Sequence, residues 1–166
     1  MALTKVIGSG IGTVTNQFAD ANMSAGSVVQ VVTASHSSRV DSTSTSYADT
    51  GLTCNITPSS SSNKILVICS QAIGQDRDTS EAHGSLKLLR DSTDIFESTK
   101  ISGIEAGGAS AAKNNSINCI TVLDSPSSTS ALTYKTQLKV ANTGNNGASR
   151  AQWNMPSHIQ LLEIVG

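Results

Sequence analysis

Leu132-Thr-Tyr-Lys-Thr-Gln-Leu-Lys-Val140 is the stretch whose reading decides the fold. Tyr134, Leu138 and Val140 fall on one side with Thr136 between them, and Lys135, Gln137 and Lys139 fall on the other. Successive side chains of a strand point to opposite faces, so this period of two predicts a strand with one face in a core and one in water. On either side, Asp124-Ser-Pro-Ser-Ser-Thr-Ser130 and Asn142-Thr-Gly-Asn-Asn-Gly147 read as turns. Beyond them, Ile117–Leu123 and Ile159–Val165 read as strands.

Toward the N-terminus the same reading gives strands over Ser27–Thr33, Leu52–Ile56, Lys64–Ile73 and Ser85–Arg90, the last turning through Asp91–Asp94 into Ile95-Phe-Glu97. Lys64–Ile73 is the most apolar segment and is expected at the centre of a sheet. In Thr57-Pro-Ser-Ser-Ser-Ser-Asn63, Pro58 fixes φ and the hydroxyls satisfy local backbone groups, so this is a turn. The polar stretches Ser35–Thr50, Gly74–Gly84 and Gly103–Asn115 read as loops. No window shows a helical stripe. Eight to ten short strands with evenly spaced turns predict an all-β fold, an antiparallel β-sandwich or jelly roll.

Composition agrees. Ser and Thr supply about a quarter of the 166 residues, and charged residues only 14%. Ser and Thr compete for backbone hydrogen bonds and do poorly inside helices, whereas Thr suits a pleated surface. A net charge of −1 argues against nucleic acid as a partner. The longest apolar run, Ile65–Cys69, is too short to insert in a membrane. The opening residues carry no apolar h-region, so no secretory signal is expected. Cys54, Cys69 and Cys119 form no C-x-x-C pair. Cys69 and Cys119 read as small core hydrophobes of a chain folding in a reducing cytosol.

Residues 1–26 divide from the rest. Gly8, Gly10 and Gly12 make this stretch weakly patterned and too sparse in apolar groups to fold alone. It is expected to be an N-terminal arm, either a simple frayed end or a docking segment anchored through Leu3, Val6, Ile7, Ile11 and Phe18, with residues 27–166 as the sandwich head.

Signs of catalysis are few. His36, His83 and His158 have no second ligand at metal spacing, and no G-x-S-x-G elbow occurs. Gly8-Ser-Gly-Ile-Gly12 lacks the strand and helix that a phosphate loop needs. The expectation is a protein that is not an enzyme and carries no cofactor and no metal. The notable charge cluster is Gln75-Asp-Arg-Asp-Thr-Ser-Glu81, and Trp153 is the single indole. Asp76, Arg77, Asp78, Glu81 and Trp153 are therefore the candidate receptor contacts. A depolymerase reading needs a carboxylate pair, for which Asp76 with Asp78 or Glu81 is the nearby choice.

Several blocks resemble small fibre-like virion proteins of marine and cyanobacterial tailed phages: Met1-Ala-Leu-Thr-Lys-Val-Ile-Gly8, Gly26-Ser-Val-Val-Gln-Val-Val32, Ile56-Thr-Pro-Ser-Ser-Ser-Ser-Asn-Lys-Ile-Leu-Val67, Leu123-Asp-Ser-Pro-Ser-Ser-Thr-Ser-Ala-Leu-Thr-Tyr-Lys135 and Ile159–Val165. The similarity spans nearly the whole chain and departs in Gly74–Gly84 and Gly103–Asn115. The resemblance implies a virion structural protein, assembled in the host cytoplasm, with a jelly-roll head that forms a homotrimer. Its partners are then other phage tail or capsid proteins and, through the loops, a host surface glycan or protein. The tail-fibre or receptor-binding role is the first implication. Capsid decoration, anchored through the arm, is the second. The family supplies no catalytic residues to carry over.

Overall fold

The computed structural model describes residues 23–77, 82–104, 112–141 and 148–166, which form ten strands and no helix. The strands are β1 (Val28–His36), β2 (Val40–Ser42), β3 (Ala48–Ile56), β4 (Lys64–Arg77), β5 (Ala82–Arg90), β6 (Thr93–Ile104), β7 (Ala112–Asp124), β8 (Leu132–Val140), β9 (Ala148–Ala151) and β10 (Ser157–Ile164). All pairings are antiparallel.

β4 organises the first sheet. One edge pairs with β7 along Ile65–Arg77, and the other meets β10 over Lys64–Ser70 and β9 over Ile73–Asp76. β10 and β9 thus lie end to end, and β1 and β2 continue outward from them. The second sheet runs β3-β8-β5-β6. If β1 with β2, and β9 with β10, are each taken as one interrupted strand, two four-stranded sheets result. Their chain order is first, eighth, third, sixth in one and second, seventh, fourth, fifth in the other. That order is the double Greek key of a jelly roll. The chain is an antiparallel β-sandwich.

The deciding stretch behaves as read. In β8 the buried positions are Leu132, Tyr134, Thr136, Leu138 and Val140, alternating without a break. They meet Ile65, Val67, Cys69, Ile73, Ile159 and Leu161 of the facing sheet in one core, with Leu52, Cys54, Ile56, Leu86 and Leu88. Each fully buried Leu or Ile contributes roughly 1.5–3 kcal/mol to folding. Cys119 departs from its expected place. It is exposed, because Ser70 is its register partner on the solvent side of β4.

Two expected loops are largely strand. β4 continues through Gly74–Arg77 and β5 begins at Ala82. β6 runs to Ile104, and β7 begins at Ala112. The cause is a polar inner surface at this end. Gln71 and Gln75 point into the sandwich, where Thr50 donates to Thr136 (2.6 Å), Thr136 to Gln71 Oε1 (2.7 Å) and Ser149 to Gln75 Oε1 (2.9 Å). Strand geometry persists where the hydropathy alternation has stopped. β2 and β9 are similarly short and polar, and lay inside or beside stretches without a strand signal.

Two side-chain clusters hold the sheets and turns. Glu163 is buried, and its Oε1 accepts from Ser59 N (2.7 Å), Ser59 Oγ (2.6 Å) and Asn63 Nδ2 (2.7 Å), which fastens the Pro58 turn to β10. Asp124, at the end of β7, accepts from Arg90 Nη1 on β5 (2.7 and 2.6 Å) and from the Tyr134 hydroxyl on β8 (2.7 Å), linking the two sheets.

Candidate functional site

Alternation along β4 puts Ile73 and Gln75 inside and Gly74 and Asp76 on the outer face. The register then fixes a row across four strands: Asp41 of β2, Arg150 of β9, Gly74 of β4 and Asn115 of β7. The next row brings Asp76 opposite Lys113. These residues come from four separate parts of the chain and share one surface only because the topology makes their strands neighbours.

Trp153 covers this surface. It follows β9 in a tight turn in which Gln152 and Asn154 have φ of 53° and 59°, the left-handed region that L residues other than Asn and Asp rarely enter. Gln152 is held there by its backbone N–H donating to Ala72 O (3.1 Å) and by Nε2 donating to Ser157 Oγ (3.1 Å). The turn brings the Cε3 edge of the indole down onto β4 at Gly74. A Cβ there stands 2.0 Å from Cε3, so only glycine permits the approach. Asn115 Nδ2 donates to Trp153 O (2.8 Å) and ties the turn to β7.

Three cations surround the ring, with Arg150 at 5.1 Å, Lys113 at 5.6 Å and Arg39 at 6.0 Å from its centroid. Cations at this range are attracted by the ring quadrupole. Arg39 donates to both oxygens of Asp41 (2.6 and 2.5 Å), and that guanidinium holds the Asp41 carboxyl below its ordinary value. Arg150 pairs with Asp76 and lies 3.5 Å from Asp41. Asp76 Oδ1 is buried and has no hydrogen-bond partner among the described residues. Lys113 is exposed and meets no carboxylate among them.

Of the sequence candidates, Asp76 and Trp153 meet in this cluster. Arg77 ends β4, its side chain outside the described set, and Asp78 and Glu81 lie outside the described residues, as do Leu3, Val6, Ile7, Ile11 and Phe18. Arg39, Asp41, Lys113 and Arg150 were missed. No local motif marks them, and only strand pairing gathers them. Among the described residues, no three His, Cys, Asp or Glu side chains are grouped to hold a metal ion, and no helix is long and apolar enough to cross a membrane.

The same outer face carries a second feature at its other end. Val31, Leu162, Leu66 and Leu123 form one row across β1, β10, β4 and β7. Val31 is 58% and Leu123 53% exposed.

No family model matches the chain, and no curated protein matches it. Among solved structures, similar chains are found in T=1 particles derived from infectious bursal virus (12% identity, TM-score 0.36, 82% of this chain and 36% of that one). The infectious bursal disease virus Gt strain gives 11% identity and TM-score 0.38, over 85% of this chain and 38% of that one. Dimeric latent PorU from Porphyromonas gingivalis gives 10%, 0.37, 86% and 14%. The chain thus spans well under half the length of each. Scores of this size leave function to be argued from the chain's own residues.

Proposed function

We propose that the chain is a virion structural protein: a tail-fibre or receptor-binding subunit of a tailed phage whose jelly-roll heads assemble as a homotrimer and contact the host surface. The observation that supports this most is the two-part outer face of the β4 sheet. An apolar row at one end is suited to packing against neighbours, and a charged indole surface at the other is suited to contact with a ligand. Closed symmetry buries such apolar strips, and exposed apolar surface rimmed by polar groups marks interaction sites. The count of three follows the resemblance of the turn-and-strand blocks. Its role is to display a surface, not to catalyse a reaction. Three weak contacts on one rigid body raise avidity without a tight single site.

The test joins native mass with adsorption. The expected result is a trimer that adsorbs to host cells and slows phage attachment in competition. A monomer that leaves attachment unchanged overturns the reading. A trimer found on capsid faces instead of the tail assigns the decoration role.

A further inference from the structure

We propose that the apolar strip on the outer face of the β4 sheet is covered, in the assembled protein, by the N-terminal segment of a neighbouring copy, with Leu3, Val6, Ile7 and Ile11 as the docking side chains. This rests on the homotrimer reading above and names the segment that holds it together. The strip has two rows: Val28 beside Ile164 at the end of the sheet, then Val31, Leu162, Leu66 and Leu123 across β1, β10, β4 and β7. Val28, Val31 and Leu123 are exposed. The outer face of the other sheet has the opposite chemistry. There Lys87 pairs with Asp94 and Glu97, and Lys135 with Asp49, a face for water.

Area and reach choose the occupant. Two rows about 7 Å apart across four strands spaced about 4.8 Å cover on the order of 200 Å². A stable contact between rigid faces takes about 800 Å² from each partner. Two heads touching on this strip alone fall far short, and a tethered segment adds the missing area. The segment enters beside the strip. Gly26 N donates to Val165 O (2.8 Å) and Val165 N to Ser27 O (2.9 Å), which fastens the start of β1 to the end of β10. The strip of the same copy is about 14 Å wide, which about five residues cross. Ile11 and Leu3 precede Met23 by 12 and 20 residues, so they reach up to about 40 and 66 Å from it. A head of this size is about 37 Å across. These apolar residues are therefore spaced for the next head and not for their own.

Cys119 supplies a probe. It is exposed, on the same outer face and four residues along β7 from Leu123, whereas Cys54 and Cys69 are buried. The full chain carrying Ile7→Cys is treated with a short flexible bismaleimide. The expected result is a native trimer that yields covalently linked dimers and trimers on a denaturing gel. The unsubstituted chain stays single, and Cys119→Ser abolishes the links. Leu123→Lys and Ile7→Asp each weaken the trimer about tenfold, and the two together cost no more than about tenfold, because both remove one contact. Circular dichroism confirms that the variants are folded, and Leu123→Ser serves if Leu123→Lys is not. Links confined within single chains, links that survive Cys119→Ser, linking of the unsubstituted chain, or strictly additive penalties overturn the inference. The two readings separate. A trimer that adsorbs to cells but forms no link keeps the display role and removes the arm contact. Chains linked through Cys119 that do not adsorb keep the arm contact and remove the display role. A monomer removes both.

Discussion

Tyr134→Phe isolates the bond that ties the two sheets together. The Tyr134 ring is fully buried, and its hydroxyl donates to Asp124 Oδ2 at 2.7 Å, while Arg90 donates to the same carboxylate. The Arg90 and Asp124 side chains are only 19% and 11% exposed, so solvent screens the cluster weakly. Phe keeps the ring volume and removes one hydrogen bond to a charged group, which costs about 1.5–3 kcal/mol. For a chain of this length that lowers Tm by about 3–12 °C. Asp124→Ala costs more, about 3–5 kcal/mol, because it strands the Arg90 guanidinium and the hydroxyl together. In that background Tyr134→Phe has little left to remove, so the double mutant is markedly less destabilised than the sum. The pH dependence has a definite sign. Burial, reinforced by the Asp124 carboxylate, raises the Tyr134 pKa above its ordinary 10.0, so its contribution is complete below that pH and is lost as pH rises through the folded value. Urea unfolding followed by Trp153 emission and by circular dichroism measures all of this. A Tyr134→Phe cost under about 0.5 kcal/mol, or strictly additive single mutants, refutes the cross-sheet lock.

Gly74→Ala puts a methyl group where the indole lies, so Trp153 emission shifts to the red and stability falls by about 1–3 kcal/mol. An unchanged spectrum contradicts this contact. In the native protein at neutral pH a thiol reagent modifies one cysteine, Cys119, and Cys119→Ser abolishes the reaction. Cys69 stays inert because burial, with Cys119 nearby, pushes its thiol up to about 12, and rapid modification of three thiols refutes this. Glu163→Ala removes the acceptor of three hydrogen bonds at the Pro58 turn and lowers stability by about 2–4 kcal/mol in urea unfolding. A cost near zero denies the turn its anchor.

The sandwich was legible wherever one face of a strand is apolar. β8 shows this at every position, and Lys64–Ile73 announced a central strand because it packs within a sheet on both edges. Legibility failed where the inner face turns polar. Gln71, Gln75, Thr136 and Ser149 satisfy one another across the sandwich, so Gly74–Arg77 and Ala148–Ala151 carry no alternation although both are strand. Cys119 was misplaced for a related reason. Its neighbours Ile117, Thr121 and Leu123 lie on the same exposed face, and an apolar residue there looks in sequence like one in the core. Trp153 and Asp76 stood out by residue type. Their partners Arg39, Asp41, Lys113 and Arg150 did not, because what unites them is strand order, which the local sequence does not encode.

The account stands on the head being a repeated, outward-facing part of a particle. Imaging tailed-phage particles whose genome carries this sequence, at a resolution that separates single β-sandwiches, tests that proposal most directly. The predicted density is a threefold cluster of sandwiches projecting from the tail, with the Val31–Leu123 row against neighbours and Trp153 toward the outside. Purified infectious particles that contain no copy of the chain contradict it.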